Sequence, residues 1–142
     1  MHALTVQTPL GSQVLKSNPR SIFDWIDLVR KGIAASAIDS LIKSTNLTQA
    51  ELATILGIPE RTLVRRKQQG RLNAEESAKL LRLARVVERA EQVFENSDNA
   101  LNWLKTTNRS LGGETPLELL DTDIGAESVM DTLGRIEQGV FS

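Results

Sequence analysis

Residues 48–70, TQAELATILGIPERTLVRRKQQG, decide the fold. Thr48 followed three residues later by Glu51 forms a capping box, in which each side chain satisfies the backbone N–H of the other at a helix start. Leu52, Ile55 and Leu56 recur behind it at helical spacing, and Gly57-Ile58-Pro59 stops the run. A second run, from about Glu60 to Gln69, closes at Gly70. Ala53 is small enough to let two helices approach. Gly57 can take the left-handed backbone a tight turn needs, and Ile58 with Leu63 would fill the angle between the helices. Leu52, Ala53, Leu56, Gly57, Ile58 and Leu63 therefore fall where a helix-turn-helix requires them.

Working outward, the same signals recur. Upstream, Ser21 and Asp24 make a capping-type start for a helix carrying Ile22, Trp25, Ile26 and Val29, ended by Gly32. Ile38, Leu41 and Ile42 mark a second helix closing near Asn46. Residues 1–20, with Pro9, Gly11 and Pro19 and no sustained period, read as a flexible arm. Downstream, Asn73 with Glu76 opens the longest helix, roughly 74–95, striped by Leu80, Leu83, Ala84, Val87, Ala90 and Phe94. Asp98 starts a helix with Leu101 and Leu104, and Gly112-Gly113 makes a turn. Thr115-Pro116-Leu117-Glu118 joins a capping box to a proline at the first helical position. Asp123 caps a last helix with Ala126, Val129, Met130, Leu133 and Ile136 on one side, stopped by Gly139. No strand-like alternation survives. The expectation is an all-α chain: an N-terminal helix-turn-helix domain, residues 21–73, joined by a long helix to a small α-helical C-terminal domain, residues 74–142. Trp25 and Trp103 read as core residues.

Composition excludes whole classes of chemistry. The 142 residues contain no Cys, no Tyr and one His, at position 2. Disulfides, Cys/His metal sites and Cys or His nucleophile–base pairs are therefore ruled out. Glu75-Glu76 and the acidic tail supply carboxylates without a base, nucleophile or ligand set beside them, so no catalytic site, metal or cofactor is expected. Gly112-Gly113 lacks the lysine of a phosphate loop. No apolar run of about 18 residues and no leader-type segment appears, and the chain reads as cytoplasmic with no membrane partner.

The net charge of −1 is a cancellation. Residues 61–89 hold nine basic groups and three acids, for +6, whereas residues 90–142 hold three basic groups and ten acids, for −7. The basic block begins on the second helix of the helix-turn-helix. Stepping 100° per residue from Leu63 places Arg61, Arg65 and Gln68 on the opposite face, with Thr62 and Gln69 beside them. That face would enter a DNA major groove, where Arg suits guanine edges and Gln suits adenine. Arg66, Lys67 and Arg71 would flank it and meet phosphates. Arg66 stands where an apolar residue is usual, so its stem would snorkel along the core edge. The alternative is a helical hairpin that only packs, with its arginines serving solubility. One such unit reads few base pairs, so a homodimer on a two-fold operator is the expected form.

The run Leu80-Leu81-Arg82-Leu83-Ala84-Arg85-Val86, then Trp103-Leu104, Asn108, Leu111-Gly112-Gly113, Thr115-Pro116-Leu117 and Leu119-Leu120-Asp121-Thr122, resembles the Xre/MbcA/ParS-like antitoxins of type II toxin–antitoxin modules. The closing Gly134-Arg135-Ile136-Glu137-Gln138-Gly139-Val140-Phe141 is similar to that family's terminal signature, with Gln138 where His is common. With Arg61-Thr62-Leu63 and Arg65-Arg66, the likeness covers roughly residues 47–142.

The resemblance implies an antitoxin of the RES–Xre type. Its C-terminal domain would bind a RES-domain toxin that degrades NAD, placing its terminal segment in the toxin's active-site cleft, and its helix-turn-helix would repress its own operon. A cleft built for a dinucleotide pyrophosphate is electropositive. Glu137 and the carboxylate of Ser142 could pair with its basic groups, Phe141 could fill a nicotinamide-type subsite with Val140 beside it, and Arg135 could fork a toxin carboxylate. Arg135, Glu137, Gln138, Val140, Phe141 and Ser142 are thus the expected toxin contacts. The competing function is a dimeric helix-turn-helix regulator whose C-terminal domain senses a small molecule, which would require a concave apolar pocket with converging polar groups.

Overall fold

A computed structural model describes residues 21–139. The expected N-terminal arm, residues 1–20, and Val140, Phe141 and Ser142 lie outside the described residues. Seven α-helices follow in order: α1 (Ile22–Lys31), α2 (Ser36–Thr45), α3 (Gln49–Leu56), α4 (Glu60–Gln69), α5 (Ala74–Phe94), α6 (Ser97–Leu104) and α7 (Asp123–Glu137). Two short 3-10 turns, η1 (Arg109–Leu111) and η2 (Leu117–Asp121), stand between α6 and α7. Among the described residues there is no strand, only two isolated bridges, Ala34 with Arg71 and Asn108 with Glu114. The fold is all-α.

Local chemistry sets most helix ends. The Ser21 hydroxyl accepts the Asp24 N–H at α1, and both halves of the Thr48/Glu51 capping box form, at 3.0 and 2.8 Å. Asn73 and Glu76 exchange the equivalent pair at 2.7 and 2.9 Å, as do Thr115 and Glu118 ahead of η2. Two expected caps are displaced. Asn96, not Asp98, caps α6 by accepting the Asn99 N–H, and Thr122, not Asp123, caps α7 by accepting the Gly125 N–H. In each case an earlier side chain reaches the exposed N–H groups first, and the aspartate becomes a first-turn acid favoured by the helix dipole.

The chain divides into two compact units between Ala84 and Arg85, within α5. The expected boundary at 73/74 falls at the start of α5, whose first turns, to Ala84, group with the residues before them. In the first unit the linkers before α2 and α5 meet: Leu72 N–H donates to the Ile33 carbonyl and Ala35 N–H to the Gly70 carbonyl. The Ser77 hydroxyl, fully buried on α5, accepts the Ile33 N–H at 2.8 Å. Trp25, Ile38, Leu41, Leu52, Leu56 and Leu63 are buried in this unit.

In the second unit α7 packs on η2. Gly125 permits that approach, since a Cβ there would collide with the Leu119 carbonyl oxygen. Leu104, Leu120, Val129 and Leu133 are fully buried, and Phe94 meets Trp103 in a tilted aromatic pair with centroids 5.8 Å apart. The expected stripes are trimmed at their edges: Phe94 and Ile136 are half-buried, and Met130 is 37% exposed. No helix of the described residues is long and apolar enough to cross a membrane.

Candidate functional site

Helices α3 and α4 form the turn on which the outward face depends. Leu52, Ala53, Leu56 and Leu63 are buried, and Gly57 closes α3 in the left-handed conformation at φ 72. Its N–H and that of Ile58 donate back to the Thr54 and Ala53 carbonyls, so the turn is satisfied by backbone alone. With Leu63 pointing inward, Arg61, Val64, Arg65, Gln68 and Gln69 are exposed, and Thr62 is half-buried.

The structure separates the six expected DNA-contacting cations and amides into two groups. Arg61 and Arg65 are exposed with Gln68 beside them, and Arg65 reaches the fold through its charge, which helps hold the Glu76 carboxyl low. Arg66, Lys67 and Arg71 are held within the first unit. Arg66 Nε donates to Glu76 Oε1 at 2.8 Å and its NH1 group to Gln69 Oε1 at 3.0 Å. Its head thus does not snorkel to solvent; it pairs with an almost fully buried carboxylate. Burial alone would raise the Glu76 carboxyl. Hydrogen bonds from Arg66 and the Asn73 N–H reverse that and hold it below its usual value. The Arg66 guanidinium is raised in turn by its bond to Glu76. Lys67 Nζ contacts Asp39 Oδ1 and Gln49 Oε1, each at 2.8 Å. Arg71 donates to the Lys31 and Gly32 carbonyls at the C-terminal end of α1, acting as a cap there.

The C-terminal candidates divide similarly. Arg135 and Gln138 are exposed, and Gln138 closes α7 through its N–H to the Gly134 carbonyl. Glu137, expected to meet basic groups of a partner, is gripped within the second unit by a fork from Arg89, at 2.5 and 3.2 Å. That fork holds the Glu137 carboxyl below its usual value. Val140, Phe141 and Ser142 lie outside the described residues.

Sequence reading missed Glu88. It is buried on α5, its Oε2 has no hydrogen-bond partner among the described residues, and burial pushes its carboxyl up to about 7. Its i+4 spacing from Ala84 on the apolar stripe was the available signal. Arg89 and Asp39 carried no such signal, because their partners lie far along the chain.

Two family descriptions match. Residues 24–85 match the antitoxin Xre-like helix-turn-helix domain, and residues 89–139 match the antitoxin Xre/MbcA/ParS C-terminal toxin-binding domain. The chain is 37% identical over 119 residues to the Antitoxin Xre of Yersinia enterocolitica, covering 82% of this chain and 80% of that one. It is 29% identical over 129 residues to a protein of Sphingobium sp. named Prs ADP-ribosylating antitoxin, covering 84% and 81%. The crystal structure of the M. tuberculosis MbcT–MbcA toxin–antitoxin complex contains a chain that superposes with a TM-score of 0.59 at 27% identity, over 76% of this chain and 96% of that chain. With buried helix-turn-helix residues in register and both domains matched in order, the chain belongs to the Xre/MbcA/ParS family of antitoxins, which join a helix-turn-helix domain to a C-terminal toxin-binding domain.

Proposed function

We propose that this antitoxin is a non-catalytic inhibitor and repressor. It neutralises a RES-domain, NAD-degrading toxin by placing its C-terminal segment in the toxin's active-site cleft, and it binds its own operator as a homodimer in the cytoplasm. The division of labour falls along the chain, with DNA reading before α5 and toxin binding after it.

The observation that carries the DNA half is the sorting of cations on and beside α4. Three basic side chains are tied down within the fold, and Arg61 and Arg65 are left outward with Gln68. Exposed arginines beside an amide on one helix face fit base edges in a major groove. Arg66, Lys67 and Arg71 then act mainly by holding the reading helix in place; Lys67 and Arg71 remain near enough to its ends to meet phosphates.

The toxin half is supported by the matched toxin-binding domain and by the exposed Arg135 and Gln138 at the end of α7. Val140, Phe141 and Ser142 continue that contact into the cleft. Glu137 contributes through its fork with Arg89, which fixes the end of the helix. The name carried by the Sphingobium relative includes ADP-ribosylation, a transfer whose usual donor is NAD, and this favours a toxin that handles NAD.

Deleting residues 140–142 leaves α7, its closing Gln138 N–H and the Arg89–Glu137 fork intact. The deleted chain should bind operator DNA as before and fail to protect cellular NAD when co-expressed with the adjacent RES-type protein. Full protection by the deleted chain would refute cleft insertion.

A further inference from the structure

Among the described residues Gly134 is the glycine with no reason for being one in its own fold. Gly32, Gly57, Gly70, Gly112, Gly113 and Gly139 all sit at positive φ, where a side chain is strained. Gly125 lies against the Leu119 carbonyl. Gly134 has neither excuse: it lies inside α7, at no positive φ, and a Cβ built on it would meet nothing within 4 Å. A glycine in a helix interior weakens the helix relative to alanine, and no close approach among the described residues requires one at 134.

Gly134 is half-buried, and the side chains around it on α7 are exposed. Met130, Asp131, Glu137 and Gln138, its neighbours at three and four residues' spacing, are all exposed. Glu127 lies on the same side, and Ile124, 78% exposed, begins it. The face is thus a spot of α7 backbone without a side chain, rimmed by Met130, by Glu127 and Asp131, and by Glu137 already forked by Arg89, with Arg135 as the one basic residue of α7.

We infer that Gly134 is a docking notch for the toxin. A bulky side chain of a basic toxin surface presses onto the α7 backbone where a Cβ is missing, with Met130 beside it and Asp131 and Glu127 facing the toxin's cations. This rests on the toxin-binding reading. The toxin is the occupant because α7 lies within the matched toxin-binding domain and the notch is continuous with exposed Arg135 and Gln138. The acidic rim also requires a basic partner, which a second copy of this acidic face is not.

The test co-expresses the protein encoded by the adjacent reading frame with the wild-type chain, Gly134→Ala and Gly134→Leu. Complex affinity is measured, as are the melting temperature and oligomeric state of each chain alone. Gly134→Ala should melt at or above wild type yet bind the toxin about tenfold more weakly, and Gly134→Leu more weakly still. Wild-type affinity in Gly134→Ala, a lower melting temperature in that variant, or an effect confined to self-association would each overturn the inference while leaving the toxin reading intact. Failure of the wild-type chain to hold that protein would overturn both.

Discussion

Replacing Glu88 with glutamine should remove a pH dependence of stability that follows from where this carboxyl is buried. Burial raises it from its usual 4.5 to about 7, with Arg85 opposing the rise and Glu91 adding to it. A carboxyl held more tightly to its proton in the folded than in the unfolded chain costs no stability below the unfolded value. As pH rises from 4.5 to about 7 the folded protein must keep the proton or bury a charge, so stability falls across that window and levels above it. At about 1.4 kcal/mol per pH unit, a rise of this size corresponds to at most about 3.5 kcal/mol. Glu88→Gln keeps the shape and removes the titration. Its buried amide still needs a hydrogen-bond partner, so the expected gain near pH 8 is about 1–3 kcal/mol, or several degrees of melting temperature. The chain has a single His, at position 2, so few other side chains titrate in the same window. Urea and thermal unfolding of both proteins from about pH 4.5 to 8 measures the effect. Parallel profiles, or a glutamine variant less stable near pH 8, would refute the assignment of the slope to this buried group.

Other consequences are as direct. Arg66→Met strands the Glu76 carboxylate and should lower the melting temperature by a few degrees at neutral pH. Because the Glu76 carboxyl is held low in the folded chain, that deficit should shrink as pH falls below about 4.5 and the wild type loses the same contribution. Gly125→Ala drives a methyl group into the Leu119 carbonyl and should destabilise the second unit by about 1–3 kcal/mol, despite alanine's better helix propensity; an unchanged denaturant midpoint would contradict the packing of α7 on η2. Arg65→Ala should weaken operator binding by about 1–3 kcal/mol in a gel-shift titration and relax sequence preference at the position it reads. An unchanged titration in the Arg61→Ala/Arg65→Ala double variant would remove the outward face of α4 as the reading surface.

What the sequence determined by itself was everything carried by near neighbours. Capping boxes at Thr48 and Asn73, the apolar period of α3 to α5, the left-handed Gly57 and the outward placement of Arg61 and Arg65 all follow from residues within one or two helical turns. These interactions are local, so their spacing in the chain is their spacing in space. The two displaced caps show the limit of that rule, since several polar side chains within one turn compete for the same N–H groups. Which cations remained available was decided only by the tertiary structure. Arg66 meets Glu76 across ten residues, Lys67 meets Gln49 across 18, and Arg89 meets Glu137 across 48. No period links such partners; they are brought together when the helices bury their apolar faces, and that burial also turned Glu88 from a surface acid into a stranded one.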